Sequence, residues 1–404
     1  MKKEVEDLKT VQEEIKDVLI KLQEGYTKRD INLIDEYVDP LISTDSNVFA
    51  VGTADDEWCF GWKEVKELIE SDWEYWGDLV FDIENMVFST QGDTAWLITR
   101  ASVSYEFGES QETYERYLDA CKDFLENKDE DKDLSSLSKI TKINYLLASL
   151  MGNRKESKRA YKWPARFSGV LVKVEEKWVF KYMQFSMTNP SRYPDIRFIN
   201  EDEYKEKFKD LKAKMLIFKE NCISTETKDI EELLINFQKV YLENTYSTKD
   251  ILTNFFERRE DVLLVGPEEM WHKGESEVRE FIQDNRRKWD QMSIGIDEAI
   301  ISINDDVAWV TTNGLARKRL SIEDACNREI DIIKGIFNYN ISGRDKVFKI
   351  QRDISILLKE ISKGEEFFWP FRLEGVLLKK DGRWLIHTLQ ISYPFMMILE
   401  GKYD

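Results

Sequence analysis

The chain has 404 residues and is acidic, with 78 Asp and Glu against 59 Lys and Arg for a net charge of −19 at pH 7. A chain so negative repels phosphate backbones and anionic membranes unless a basic patch overrides it, and its densest short basic run is only Arg286, Arg287 and Lys288. No stretch approaches the roughly 18 apolar residues of a spanning helix, so neither nucleic acid nor membrane is expected as a partner.

The first twenty residues contain no uninterrupted apolar run, which predicts that they are not a signal peptide. Cys59, Cys121, Cys222 and Cys326 lie far apart with no CxxC, the pattern of reduced thiols in a cytoplasmic protein. An amphipathic helix is predicted over residues 5–26, where Val5, Leu8, Val11, Ile15, Val18, Leu19, Leu22 and Tyr26 recur at three- and four-residue steps. A short helix near Ile31–Tyr37 follows, then two short strands, NVFAVG and EWCFG, and a helix from Gly61 with Trp62, Val65, Leu68, Ile69, Trp73 and Trp76 on one stripe. Two strands come next, Leu79–Ser89 and Asp93–Tyr105, and then about 50 residues of helical pattern, Gln111–Lys162, split by a charged run, Glu126–Asp133, that reads as a solvated loop. A hairpin, Trp163–Ser186, closes this half.

The same order then returns. Trp163–Ser186 and Trp369–Ser392 share 10 of 24 residues without a gap, and Glu57–Trp96 and Met270–Trp309 share 12 of 40. Both helical insertions carry Asp-Ala-Cys, at Asp119–Cys121 and Asp324–Cys326, so the insertion belongs to the repeated unit. The chain is therefore one fold written twice: a domain over residues 1-200, a charged linking helix within 201-224, and a second domain over 225-404.

Helix, helix, two short strands, helix and four longer antiparallel strands is an order that resembles the nuclear transport factor 2 (NTF2)-like superfamily. The closing hairpin, with Arg166, Trp178 and Ser186 matched by Arg372, Trp384 and Ser392, is similar to the SnoaL-like branch. The resemblance implies an α+β fold: two cone-shaped barrels in tandem, each a curved antiparallel sheet around helices with a pocket, and each here with a helical insertion before its hairpin. Relatives of this kind pair sheet against sheet, which implies an internal pseudo-dimer. Many of them have His-x-Ser on the last strand where this chain has Gln184-Phe185-Ser186 and Gln390-Ile391-Ser392, and Gln does not exchange protons near neutral pH.

The chemistry is less legible. His272 and His387, the two histidines, lie in different halves without metal-ligand spacing, and no nucleotide-binding or serine-hydrolase motif occurs, so neither a metal nor another cofactor is expected. Strand alternation sets Arg166 on a face with Ser168, Val170 and Val172, and Arg372 with Glu374, Val376 and Leu378. An arginine among apolar neighbours must be paired or must meet a ligand. The expected ligand-binding residues are Arg166 and Arg100, as donors to a small carboxylate in the first cone, with Gln184, Trp58, Arg372 and Gln390; against this stands the reading that both arginines find acids on the helices or on the partner domain. No catalytic residue is singled out. The expectation is a non-enzymatic module binding a small ligand or a protein partner, with two alternatives: an isomerase- or cyclase-like enzyme on a small carbonyl compound, favoured by a carboxylate of raised pKa facing the cone, and a scaffold with vestigial pockets.

Overall fold

The computed structural model describes residues 2–108, 111–126, 135–152, 158–188, 193–222, 224, 226–242, 246–258, 260–268 and 270–395. The first half contains α1 (Lys2–Lys28), α2 (Ile34–Val38), β1 (Phe49–Val51), β2 (Trp58–Phe60), α3 (Gly61–Tyr75), β3 (Asp78–Phe81), β4 (Val87–Gln91) and β5 (Thr94–Gly108). The insertion helices α4 (Gln111–Glu126) and α5 (Ser136–Gly152) follow, then β6 (Lys158–Val174) and β7 (Lys177–Met187). After α6 (Glu201–Lys207) and α7 (Lys209–Lys219), the second half repeats the order: α8 (Thr227–Leu242), α9 (Thr248–Phe255), β8 (Leu263–Val265), β9 (Trp271–Lys273), α10 (Gly274–Asn285), β10 (Gln291–Ile294), β11 (Ile300–Asn304) and β12 (Val307–Arg319). It ends with α11 (Ile322–Ile336), α12 (Gly343–Ile361), β13 (Glu366–Lys380) and β14 (Arg383–Ser392). The charged run Glu126–Asp133 lies, but for Glu126, outside the described residues.

Each half makes one sheet, ordered β2-β1-β7-β6-β5-β3 in the first and β10-β12-β13-β14-β8-β9 in the second, with β4 on β5 and β11 on β12. Pairing is antiparallel except that β1 runs parallel to β7 and β8 to β14. The sheets are thus mixed, a small departure from the expected antiparallel ones. On the inner face the stripe Ile15, Leu19, Leu22 and Tyr26 of α1 packs with Phe167, Phe180, Met183 and Phe185; Ile230, Leu234, Phe237 and Tyr241 of α8 repeat that packing in the second half. Burying each such side chain contributes about 1.5–3 kcal/mol.

Two details separate the structure from the sequence pattern. The apolar run Leu79–Ser89 is not one strand: β3 pairs with Leu79-to-Val103 register and β4 with Phe88-to-Leu97 register, and the break between them is held by Thr99 Oγ1, which donates to Asp82 O at 2.8 Å. Thr312 Oγ1 donates to Gly295 O at 2.6 Å at the matching break between β10 and β11. The closing hairpins turn at residues with positive φ, Glu175 (47°) and Glu176 (64°) in one half and Asp381 (49°) and Gly382 (75°) in the other, the backbone that suits a two-residue hairpin of right-twisted strands. The first turn carries this conformation without a glycine and is the more strained.

Gly77, between α3 and β3, lies so close to Ser104 O that an added Cβ would fall inside contact distance of that backbone atom. Gly77→Ala is expected to cost about 1–3 kcal/mol in chemical denaturation, as overpacking does where the neighbour is main chain; an unchanged midpoint would show that β5 yields freely there.

The linking segment bends at Phe208 into two helices and lies against both halves. Phe218 stacks on Phe60 with ring centroids 4.6 Å apart, and Lys219 Nζ donates to Asp297 O at 2.8 Å. The insertion helices form a row, α4 on α5, α5 on α12 and α12 on α11, so the insertions of the two halves meet at α5 and α12. Asn144 Nδ2 donates to Ser355 Oγ at 3.0 Å across that contact.

Candidate functional site

The outer face of each sheet, turned away from its own helices, meets the outer face of the other. Phe49, Trp96, Val170 and Tyr182 from the first half and Ile300, Trp309, Val376 and Leu378 from the second share one core, closed along a side by Met215 and Phe218 of α7. This seam, and not the interior of a cone, is where the structure places the residues expected to bind a ligand. Arg166 is fully buried and donates across the seam to Gly266 O and, at 3.4 Å, to Ile391 O. Arg372 mirrors it, donating to Gly52 O at 2.5 Å and to Ala54 O. Arg100 lies beside Arg166 in register on β5 and β6, but is exposed and sits over the Trp271 ring at 4.9 Å. Trp58 is buried under Arg372, 5.8 Å from its guanidinium. The structure thus sets Arg166 on backbone carbonyls of the other half and Arg100 on the aromatic face of Trp271, both at the seam and not inside the first cone.

The two glutamines share the seam. Gln184 Nε2 donates to Ser392 Oγ at 3.0 Å and its Oε1 accepts from Tyr182 OH at 2.5 Å. Gln390 does not mirror this arrangement, because Glu374 draws it away: Gln390 Nε2 donates to Glu374 Oε2 at 3.0 Å, and Ser168 Oγ donates to the same oxygen at 2.6 Å. Ser186 Oγ is left buried with no hydrogen-bond partner among the described residues. Burial pushes the Glu374 carboxyl up to about 7, with the Ser168 hydrogen bond and the Arg166 charge opposing that rise.

A second asymmetry lies at the bulges of the last strands. Lys181 and His387 are the residues skipped there by the register. His387 accepts from Trp96 Nε1 at Nδ1, 3.2 Å away, and sets Nε2 3.3 Å from Asp261 Oδ2, an oxygen that accepts from Ser89 Oγ at 3.1 Å. Lys181 instead reaches Asp45 and Asn47 of its own half.

Inside the first cone is a feature that the sequence reading missed. The C-terminal ends of α1 and α3 converge, and Tyr26 OH donates to Asp72 Oδ2 at 2.7 Å. The pair sits among rings: Tyr26 lies 6.4 Å from Trp73 and 6.0 Å from Phe185 of β7, and Trp76 lies 6.5 Å from Phe185. Burial pushes the Asp72 carboxyl up to about 8, although Tyr26 donates to it, and burial and the nearby Asp72 charge push the Tyr26 hydroxyl well above its ordinary range. Asp72 nevertheless keeps part of its surface exposed. On the adjoining strand, burial raises the Cys59 thiol to about 12, so it is no nucleophile at neutral pH. In the second cone the matching pair is Tyr241 OH on Asn285 Oδ1 at 2.9 Å. The signal was present in the aligned repeat, where Tyr26 matches Tyr241 at a spacing of 215 and Asp72 stands against Asn285 at 213.

Among the described residues no group of three or more His, Cys, Asp or Glu could hold a metal ion, the four cysteines are free, and no helix is long and apolar enough to cross a membrane. No family model matches the chain, and no curated protein matches it. Solved structures are similar to about half of it at a time. An NTF2-like superfamily protein from Salmonella enterica serovar Typhimurium is 12% identical over 45% of this chain and 92% of its own, with a TM-score of 0.28. NTF2-like proteins of unknown function from Shewanella oneidensis (14% identical, 43% and 97% covered, TM-score 0.25) and Pseudomonas putida (11%, 46% and 90%, 0.27) are similar to the same extent. Independently of these, both halves show the order of helices and strands that the sequence resemblance implies, closed by a last strand parallel to the first; the fold of the chain is a tandem pair of NTF2-like α+β cones.

Proposed function

We propose that the first cone binds a small neutral molecule through a carbonyl or hydroxyl oxygen, and that the seam with the second half makes an internal pair of SnoaL-like cones which holds the first in shape. The observation that carries this reading is the Tyr26–Asp72 pair, a phenol and a carboxyl 2.7 Å apart among aromatic rings, at a residue, Asp72, that is only partly buried. A carboxyl whose pKa stands at about 8 is mostly protonated at pH 7, so it offers a ligand oxygen an O–H donor, and a neutral ligand escapes the desolvation cost that a carboxylate would meet there.

The test is a thermal-shift screen of the whole chain against neutral carbonyl compounds, with Asp72→Asn as the control. Asn285 already occupies the equivalent site, so that variant is expected to fold. Ligand at 100 times its Kd should stabilise the parent by about 2.7 kcal/mol. The shift should shrink in Asp72→Asn and fade as pH rises through about 8, where the donor proton is lost. A hit indifferent to both the substitution and pH would remove the pair from the binding site, and an empty screen would favour the scaffold reading.

The same carboxyl supports a second reading, proton transfer beside a carbonyl in the manner of an isomerase, since a group titrating at about 8 both takes and returns a proton near neutral pH. Turnover of a hit, abolished in Asp72→Asn with binding retained, would decide for it.

A further inference from the structure

The row of insertion helices has a face that no described residue covers. All four helices present large apolar side chains to solvent two turns apart: Leu118 and Leu125 on α4, Ile140 and Leu147 on α5, Val347 and Ile354 on α12, Ile322 and Ile330 on α11. A spacing of seven or eight residues returns a side chain to the same side of a helix, so each pair is a stripe. Leu137 extends the stripe on α5 and Leu358 that on α12, and the connection between α11 and α12 adds Phe337, Tyr339 and Ile341. The most exposed of them, Phe337, Ile140 and Val347, stand at 64%, 63% and 61%. Among the described residues, thirteen of the 24 exposed large apolar ones are gathered in these elements, and a row of helices whose apolar stripes stay open to solvent is an unfinished layer.

We propose that this face is the interface through which two copies of the chain associate. Charge singles out the second copy. On α4 and α11 acids exceed bases by three and by two, on α5 and α12 bases exceed acids by two each, and the row as a whole carries −1 in a chain of −19. Two such chains repel over most of their surfaces, and this is where they approach without that penalty. The face is also built twice over, from α4 and α5 of one half and α11 and α12 of the other, and it is continuous with the contact between the halves at Asn144 and Ser355. Such a surface suits a two-fold contact, in which each patch meets its own kind. The thirteen side chains would remove on the order of 1,000 Å² per copy from water, against the ~800 Å² per partner of a stable complex. This inference does not depend on the reading of the first cone.

Sedimentation velocity of the whole chain, from sub-micromolar to tens of micromolar, tests it. The parent is expected to move from 47.9 kDa to twice that mass as concentration rises, and more readily at higher salt, which screens the repulsion between the bodies. Ile140→Glu combined with Val347→Glu should leave a monomer throughout, with the parent's thermal midpoint because both positions are exposed; should that pair not fold, Leu118→Glu with Leu358→Glu reads the same contact. A parent that stays monomeric, or a dimer indifferent to both pairs, overturns the proposal. So does a monomeric parent that sediments with anionic vesicles and loses that binding in the variants, which would make the face a membrane contact.

Discussion

Arg372→Ala is expected to lower the stability of the chain by about 3–5 kcal/mol, the cost of breaking a buried, hydrogen-bonded charge from one side. The guanidinium is fully buried and satisfies the carbonyls of Gly52 and Ala54 in the other half, so truncation leaves a cavity and two acceptors without their donor. Desolvation lowers its pKa to about 10, opposed by nearby acids that include Glu57, Asp55 and Asp56, so it remains charged at neutral pH and those carboxyls lose its field in the variant. At about 2–4 °C per kcal/mol for domains of this size, the thermal midpoint should fall by ten degrees or so. Arg372→Lys keeps the charge but cannot fork between two carbonyls, and it should recover only part of the loss. A decrease below about 1 kcal/mol in Arg372→Ala, the level of a surface pair, would mean that the arginine does not clamp the seam.

Glu374→Gln should act in the opposite direction, increasingly as pH rises above about 4.5 and in full above about 7. The folded chain holds this proton more tightly than the unfolded chain does, so the contribution to stability is complete below the ordinary value of 4.5 and is lost as pH climbs through about 7. The full difference is about 3 kcal/mol, at 1.36 kcal/mol for each unit. Glutamine is neutral at every pH, and its amide oxygen still accepts from Ser168 and Gln390. Parent and variant should therefore unfold alike near pH 4, with the variant ahead by up to that amount at pH 9. Denaturation curves at both values read it directly; a difference that does not change with pH would show that Glu374 is solvated or paired in a way the geometry does not reveal.

The element order was legible because helices and strands here carry clean periodicities, and because the repeat lets each half check the other. The break between β3 and β4 was not, since it depends on a hydroxyl, Thr99, that reaches a carbonyl only after the sheet has formed. Alternation along β6 correctly groups Arg166 with Ser168 and Val170, but a period of two says only that a strand has two faces, not which of them looks into the cone. Tyr26 and Asp72 were each visible in the repeat. Their meeting depends on where the ends of α1 and α3 converge, which is a matter of packing. The stripes on the insertion helices were readable as helical pattern, whereas their exposure follows from the way α5 and α12 pair and spend their other sides on each other.

The contact between Ser168 and Glu374 also governs stoichiometry. These are equivalent positions 206 residues apart, so the seam brings each to its counterpart. Two free second halves meeting in the same way would press one Glu374 carboxyl against another, and two first halves would offer hydroxyl to hydroxyl with no acceptor of charge. Joined in one chain, unlike halves are always present one to one and within reach of each other. The mispaired assemblies are thereby excluded, and each copy has been free to diverge at the positions where a symmetric complex would have forced both to change together.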